Sequence, residues 1–142
     1  MALKIILCSS CEAINRVNLD KISNMTAHCG KCQVQLNLEP LLVSITSQKL
    51  NKIIKNSELL IFVDVYANWC GPCKIYGPIF EKFSRKMWLK AEFYKLDSEK
   101  EQSFSSQYKI KEIPTTLIFN KGELIKSQSG LLNEIQLDEM ML

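Results

Sequence analysis

A cysteine pair in the sequence Trp69-Cys70-Gly71-Pro72-Cys73 directly follows the apolar run Leu59–Tyr66 and directly precedes a segment with helical spacing. This order predicts a buried strand that ends where a helix begins, with the pair on the first helical turn. That turn has unpaired backbone N–H groups and the positive end of the helix dipole, and both favour a thiolate over a neutral thiol. Pro72 fits there, because the N–H that it lacks would have had no partner inside the helix.

Cys70 is the predicted nucleophile of this pair, because the thiolate is the reactive form of cysteine. Cys73 lies one helical turn further on, close enough to attack a mixed disulfide formed at Cys70. That attack would close the pair and release a reduced partner. The motif therefore predicts a redox-active dithiol.

The composition is compatible with one ordinary domain, or with one small domain and a short appendage, in a chain of 142 residues of which 46% are hydrophobic. The 18 basic and 15 acidic residues give a net charge of +3 and form no lysine- or arginine-rich block. Such scattered charge argues against nucleic acid or a membrane as the main partner. No run approaches the roughly 18 apolar residues that span a bilayer. We also expect a monomer.

The apolar start at residues 1–7 is interrupted by Cys8 before a signal-peptide core of about 7–15 apolar residues could form. The expected compartment is therefore the cytosol. In a cytosolic protein, six cysteines are more typical of metal ligands or redox groups than of structural disulfides.

Two further Cys-x-x-Cys pairs, Cys8/Cys11 and Cys29/Cys32, are separated by 17 residues, a spacing typical of a four-cysteine zinc site. Two such turns supply a tetrahedral shell with no open position, so the predicted zinc has a structural role. A unit this short has few large apolar residues, and metal binding would supply part of its folding energy. Gly30 is predicted to provide the positive φ that one of these turns requires.

Alternatives to this zinc site stay open at the level of sequence. Two structural disulfides among the four cysteines would suit a secreted chain. His28, beside Cys29, could replace one thiolate as a ligand, although both pairs are complete without it and a solvent-facing position is expected. The site could also respond to oxidation, because oxidised thiolates release their metal.

The pattern of the chain changes near Pro40, which predicts a zinc-ribbon domain over residues 1–40 and a second domain over residues 41–142. Alternation of Val34, Leu36 and Leu38 with polar residues predicts a half-buried strand at the end of the first unit.

In the second unit, predicted strands and helices alternate and are followed by a hairpin and a last helix. We predict strands at 41–45, 59–66, 91–96, 115–120 and 124–129, and helices that start near Thr46, Cys70, Ser98 and Asn133. For the third helix, Ser98 and Glu101 have the spacing of a capping box. This order predicts an α/β fold with a mixed central sheet flanked by helices.

The helix that begins near Cys70 has its apolar residues at helical spacing, which predicts one buried face. Pro78 interrupts that pattern without ending it. The predicted buried face consists of Ile75, Ile79, Phe80, Phe83 and Met87.

Several short motifs occur along the chain in this order: Phe62-Val63-Asp64, Trp69-Cys70-Gly71-Pro72-Cys73, Pro78, Ile113-Pro114-Thr115, Gly122 and Gly130. In their order and spacing the chain resembles thioredoxin from Leu41 to its end, and over its whole length it resembles the bacterial thioredoxins that carry a zinc ribbon. The resemblance implies the thioredoxin fold, reduction of protein disulfides in the cytosol, and recharging by a flavin- and NADPH-dependent thioredoxin reductase. It also implies that Pro114 is cis and lies against the dithiol.

Asp64 is a carboxylate in an otherwise apolar strand, where loss of hydration raises its pKa and equips it to exchange a proton with Cys73. Lys95 matches the family lysine that lies near this carboxylate, although a solvated lysine at the edge of a strand is equally compatible with the pattern. Tyr66 stands where many relatives have tryptophan, a change expected to alter fluorescence more than chemistry.

A cis Ile113–Pro114 bond would present the backbone of Ile113 to an extended substrate segment. Trp69 flanks the nucleophile and could cover it, although an ordinary packed aromatic residue would look the same in the sequence. The residues expected to contact substrate are Trp69, Gly71, Pro72, Ile113, Pro114 and Gly130.

The primary hypothesis is a protein-disulfide reductase in which Cys70 attacks and Cys73 resolves the mixed disulfide. A second hypothesis is a zinc-dependent adaptor or holdase that uses the thioredoxin domain as a binding surface. Whether partner binding survives loss of both Cys70 and Cys73 discriminates between these two functions.

Overall fold

The computed structural model describes residues 3–21 and 26–141, so Met1 and Leu142, the outer ends of the predicted domains, lie outside it. Two strands, β1 (Lys4–Leu7) and β2 (Ile14–Val17), form an antiparallel sheet. The elements that follow are α1 (Ser47–Asn56), β3 (Leu60–Tyr66), α2 (Gly71–Lys86), β4 (Ala91–Asp97), α3 (Gln102–Gln107), β5 (Thr115–Asn120), β6 (Glu123–Ser129) and α4 (Glu134–Glu139). Among the described residues, no helix is both long enough and apolar enough to cross a membrane.

The second sheet has four strands in the order β4-β3-β5-β6. Strands β3 and β4 are parallel, whereas β5 runs antiparallel to both β3 and β6. Side chains of β3 alternate between two cores: Val63 packs with α1 and α3, and Phe62 packs with α2 and α4. This arrangement confirms the predicted mixed sheet flanked by helices, with β3 as the central strand that its continuous apolar run indicates.

The turn between β5 and β6 explains why these strands form a hairpin. Lys121 and Gly122 both have positive φ, 50° and 88°, as the two central residues of a type I′ turn require. The predicted hairpin is therefore confirmed.

Residues 41–45 pair with the edge of β4 through a single β-bridge between Ser44 and Lys95, so the predicted strand is wrong. Two hydrogen bonds hold the segment there, from Ile45 N–H to the Lys95 carbonyl and from Lys95 N–H to the Val43 carbonyl. The chain leaves this edge immediately afterwards, because Thr46 caps α1 by accepting a hydrogen bond from the backbone N–H of Lys49.

The predicted capping box of Ser98 and Glu101 is also wrong. The carboxylate of Asp97 accepts hydrogen bonds from the N–H groups of Glu99 and Lys100, which holds the chain in a turn before α3 begins. The carboxylate of Glu101 accepts instead from the N–H of Ser47, at the start of α1. Because the Glu101 carboxylate bonds to α1, it does not form a capping box at the start of α3.

Helix α2 buries the predicted face at Phe80 and Phe83, with Ile79 and Met87 packed beside them, but the prediction is wrong at Ile75. Ile75 is 60% exposed, whereas the neighbouring Tyr76 is completely buried with Phe80 and Phe83. These three residues have the spacing of one helix face, and the hydroxyl of Tyr76 is satisfied by Thr116 at 2.6 Å. Pro78 lies inside the helix, which continues through it.

The N-terminal sheet packs against the edge of the larger one through a buried ion pair. The ammonium of Lys4 lies 3.2 Å from the carboxylate of Glu92, and both side chains are almost completely buried. Lys4 also donates to the carbonyl of Ala91 at 2.7 Å, and the N–H of Ile5 donates to Glu92 at 2.6 Å. These bonds compensate the cost of burying two charges. The boundary near residue 40 stays a prediction.

The end of the N-terminal segment is only partly as predicted. Leu36 and Leu38 are buried and Asn37 between them is exposed, but Val34 is exposed as well. The segment forms one bridge, between His28 and Gln35, rather than a strand.

Candidate functional site

The cysteine pair lies at the N-terminus of α2, as the sequence predicts. Cys70 is the N-cap residue, and its sulfur accepts a hydrogen bond from the backbone N–H of Cys73 at 3.2 Å. The two cysteines form a disulfide with a Cα–Cα distance of 5.2 Å. Both side chains are nearly buried, in contact with Ala67, Tyr66 and Ile113.

A second chain segment meets the disulfide from the start of β5. The Ile113–Pro114 peptide bond is cis, and the carbonyl oxygen of Ile113 lies 3.8 Å from the sulfur of Cys70. The loop that follows β6 completes this region, because the N–H of Gly130 donates to the carbonyl of Pro114 at 2.8 Å. Gly130 has a φ of 93°, a conformation that favours glycine. The structure thus brings together Cys70, Ile113, Pro114 and Gly130.

Three other predicted contact residues, Trp69, Gly71 and Pro72, are exposed around the disulfide. Trp69 is 66% exposed, so it is not a packed core aromatic. Its indole N–H donates to the carboxylate of Glu99. Sequence reasoning did not single out Glu99, because its position depends on the turn that Asp97 makes after β4.

Asp64 lies in β3, opposite Lys95 of β4 on one side and Thr116 of β5 on the other. It is 1% exposed, and its Oδ1 has no hydrogen-bond partner in the described part of the chain. Burial raises the pKa of Asp64 to about 7, and the nearby charge of Lys95 opposes that rise. This carboxyl group therefore gains and loses a proton near neutral pH.

A cavity of about 370 Å³ lies between the end of β3 and α2. Cys73, Lys95 and Tyr66 all contribute to its wall. Cys73 and Lys95 therefore line the same cavity, which is open to solvent.

The family model for thioredoxin matches residues 41–142, more than two thirds of the chain. The chain belongs to the thioredoxin family. Thioredoxin C-3 of Corynebacterium nephridii is 34% identical over 138 residues, which cover 96% of this chain and 92% of that relative. A thioredoxin of Mycoplasmoides gallisepticum is 37% identical over 95 residues, which cover 66% of this chain and 91% of the relative.

Solved thioredoxins share the fold. A mutant thioredoxin from Halobacterium salinarum superposes with a TM-score of 0.66 at 25% identity, covering 74% of this chain and 92% of its own. The thioredoxin of Malassezia sympodialis gives a TM-score of 0.64 at 27% identity, covering 70% of this chain and 89% of its own. The relatives and the fold together make this thioredoxin-family protein a thiol–disulfide oxidoreductase.

Four cysteines outside the disulfide form a separate cluster in the N-terminal segment. Cys8, Cys11, Cys29 and Cys32 are free, and their sulfurs all lie within 4.8 Å of one another. The sulfurs of Cys8 and Cys32 are 3.5 Å apart, and those of Cys11 and Cys29 are 3.6 Å apart. Sulfurs that bind one zinc ion tetrahedrally at about 2.3 Å are about 3.8 Å apart, so the cluster fits zinc. His28 is exposed, as expected, and is not part of it.

The two cysteine turns have the same backbone geometry. Each first cysteine accepts at its carbonyl from the residue that follows the second cysteine: Glu12 N–H to Cys8, and Gln33 N–H to Cys29. Glu12 and Gln33 have positive φ, 64° and 69°. The prediction that Gly30 supplies this conformation is wrong, because the turn requires it one residue beyond the second cysteine. Gly30 instead donates its N–H to Asn15.

The backbone of these turns favours thiolate at the first cysteine of each pair. The N–H groups of Cys32 and Lys31 lower the pKa of Cys29 to about 6. The N–H of Cys11 likewise lowers the pKa of Cys8. At Cys11 the backbone of Ala13 also lowers the pKa. Burial and hydrogen bonds with the other cysteines outweigh this effect and raise the pKa of Cys11 to about 11. A bound cation would displace the proton held there.

Proposed function

We propose that this protein reduces disulfide bonds of other proteins through the Cys70–Cys73 dithiol. The observation that carries the proposal is the position of the disulfide, at the N-terminus of α2 and 3.8 Å from the Ile113 carbonyl. Membership of the thioredoxin family indicates thiol–disulfide exchange as the reaction. The position of the disulfide places the Cys70 sulfur beside the Ile113 backbone, with which a substrate segment can form hydrogen bonds. The proposed compartment is the cytoplasm, because its reducing environment keeps thiols free.

The reaction starts from the reduced dithiol. The Cys70 thiolate attacks one sulfur of the substrate disulfide, which forms a mixed disulfide and releases the other substrate sulfur as a thiolate that takes up a proton from water. The Cys73 thiolate then attacks the sulfur of Cys70, which closes the pair and releases the second substrate thiol. Two electrons pass from the dithiol to the substrate, and a flavin- and NADPH-dependent thioredoxin reductase is the proposed source that restores them.

Cys70 is proposed as the nucleophile because the start of α2 stabilises its negative form. Its sulfur accepts the N–H of Cys73, and the helix dipole adds to that stabilisation. Asp64 is proposed to accept the proton of Cys73, since its pKa near 7 allows both protonation states at neutral pH. Lys95 is proposed to assist by favouring the charged form of Asp64.

The proposed substrate surface surrounds the disulfide. The exposed residues Trp69, Gly71 and Pro72 would contact a bound segment, and the backbone at Ile113 would pair with it as a strand does. Pro114 and Gly130 hold that backbone in place through the hydrogen bond between them.

The N-terminal cysteines are proposed to hold one structural zinc ion in a ribbon domain that ends near residue 40. The spacing of the four sulfurs and the matched geometry of the two turns support this proposal. Bound zinc would replace the hydrogen bonds among the four thiols and hold two turns that share only a small apolar core.

The function is tested by turnover of a protein disulfide in the presence of a small thiol reductant and of NADPH with thioredoxin reductase. We expect the wild-type protein to accelerate reduction with both electron sources. A variant with serine at both Cys70 and Cys73 should bind partner proteins without reducing them if the chain is a zinc-dependent adaptor. No wild-type turnover, together with partner binding that survives both replacements, would establish the adaptor and overturn the reductase.

Replacing Asp64 with asparagine should slow resolution of the mixed disulfide at pH 7 by roughly 100-fold, the lower end of what general acid–base catalysis contributes.

The Asp64→Asn replacement should also remove a pH dependence of the free energy of unfolding. Between pH 4 and pH 7 the folded wild type keeps the Asp64 proton and the unfolded chain loses it, so stability falls as pH rises. The loss amounts to about 4 kcal/mol.

Urea denaturation of the oxidised protein from pH 4 to pH 8 measures this effect. The wild type should lose about 4 kcal/mol more than Asp64→Asn over that range, and most of the loss should occur below pH 7. Parallel pH profiles of the two proteins would show that Asp64 does not hold a proton in the folded state.

A further inference from the structure

The ammonium group of Lys95 is held between an aromatic ring and the backbone of α2. Its Nζ lies 4.5 Å from the centre of the Tyr66 ring, within the range of a cation–π interaction. On the helix side it lies close to Gly77, where an added Cβ would be 3.9 Å from Nζ. Tyr66 and Gly77 both line the cavity between β3 and α2, and Cys73 forms another part of its wall.

The ring of Tyr66 is itself fixed. Its hydroxyl and that of Ser44 are hydrogen-bonded at 2.5 Å. Ser44 lies between the two residues whose backbone bonds to Lys95: Val43 accepts the Lys95 N–H at 3.0 Å, and Ile45 donates to the Lys95 carbonyl at 2.8 Å. One short segment therefore holds both the backbone of Lys95 and the ring beneath its ammonium group.

We propose that Tyr66, oriented by Ser44, is a positioning residue that holds the Lys95 ammonium where its charge acts on Asp64. The inference rests on the proposed role of Asp64 as the proton acceptor for Cys73. Without the ring, the flexible lysine side chain would extend through the open cavity into water, and Asp64 would lose part of the charge that favours its ionised form.

The surroundings of Asp64 leave Lys95 as the positive group that acts on it. Tyr76 of α2 faces the same region, but its hydroxyl is hydrogen-bonded to Thr116 of β5, and burial raises its pKa well above the usual range, so it stays neutral. Lys74 and Glu81, also on α2, line the cavity with opposite charges. The side of β3 that carries Val63 and Val65 packs against an apolar core. Tyr66 stands where many relatives have tryptophan, and the sequence predicts that this difference alters mainly fluorescence. The proposed role adds a chemical effect, because the tyrosine acts on Asp64 through Lys95.

A double-mutant cycle tests this role, with Tyr66→Leu, Lys95→Met and the combined variant. The pKa of Asp64 is read from the ¹³C chemical shift of its carboxyl carbon in the oxidised protein, which does not depend on catalysis. Tyr66→Leu should raise this pKa by roughly 0.5 pH units when Lys95 is present and by much less in the Lys95→Met background. Equal shifts in the two backgrounds would overturn the proposal, because hydration of a widened cavity acts without the lysine.

Two further measurements keep the test independent of whether Tyr66→Leu folds. Tyr66→Phe keeps the ring and removes only the bond to Ser44, so it should give a smaller shift, matched by Ser44→Ala. In the wild type, the protons on the Lys95 carbon next to Nζ should resonate upfield, because they lie over the ring. Ordinary random-coil shifts for these protons would overturn the proposal.

The same variants separate failure of this proposal from failure of the proposed function. If Asp64→Asn resolves mixed disulfides at the wild-type rate, the proton role of Asp64 is wrong, and with it the kinetic consequence inferred for Tyr66. If Asp64→Asn is slow but the titration cycle shows no coupling between Tyr66 and Lys95, the proton role stands and the positioning role is overturned.

Discussion

Turnover of protein disulfides is expected to fall to the rate of the reductant alone when Cys70 is replaced by serine. The hydroxyl of serine is not ionised at neutral pH, so the hydrogen bond from the Cys73 N–H has no thiolate to stabilise. The fold should persist, because serine is close to cysteine in size and is itself a favoured N-cap residue. Steady-state reduction of a protein disulfide, with circular dichroism on the same samples, measures both results.

Zinc content is the internal control for this variant. The four N-terminal cysteines form a cluster of their own, so Cys70→Ser should retain about one zinc ion per chain. Loss of turnover with retained zinc would establish two independent cysteine sites. Turnover at the wild-type rate would instead show that Cys70 is not the nucleophile.

Replacing Cys29 with serine should remove zinc and unfold the N-terminal segment. Cys29 is completely buried, and the backbone N–H groups around its sulfur lower its pKa to about 6, so it is the thiol of the cluster best prepared to bind a cation. The apolar core that surrounds it is small. Binding of structural zinc supplies on the order of 10 kcal/mol in small domains, more than such a core provides.

Metal analysis and limited proteolysis measure this second effect. Cys29→Ser should contain almost no zinc and should be cleaved rapidly within the first 40 residues, whereas His28→Ala, a change at the exposed neighbour, should match the wild type. Loss of the segment should also lower the thermal stability of the rest of the chain, because Glu92 would lose its buried partner Lys4. Full zinc content in Cys29→Ser would contradict a four-cysteine site.

Exposure to mild peroxide separates a structural zinc site from a redox-responsive one. A structural site should retain its zinc under conditions that oxidise the Cys70–Cys73 dithiol, because bound metal shields the four thiolates. Release of zinc at the same peroxide concentration would make the ribbon a redox switch.

The sequence predicts this fold and site best where local and tertiary requirements agree. The apolar run of β3, the cysteine pair at the start of α2 and the turn at Lys121 and Gly122 each determine their own structure. The cis bond before Pro114 was expected only from the resemblance to thioredoxin, because nothing local to it distinguishes cis from trans.

Features that depend on distant partners were missed. Tyr76 rather than Ile75 is buried, because Thr116 on β5 satisfies the Tyr76 hydroxyl. Glu101 bonds to the start of α1, more than 50 residues away, instead of capping α3. The burial of Lys4 depends on Glu92 of β4, to which no local pattern in the sequence connects it. In each case the deciding contact joins residues that no local pattern relates.

The most direct test of the central claim is the covalent complex formed by the Cys73→Ser variant. Without the resolving thiol, a substrate disulfide should remain attached after the first attack, and mass spectrometry of the digested complex identifies the cysteine that carries it. We expect a stable mixed disulfide at Cys70, with the four N-terminal cysteines unmodified. A substrate attached to one of those four cysteines, or no trapped complex at all, would contradict attack by Cys70 and resolution by Cys73.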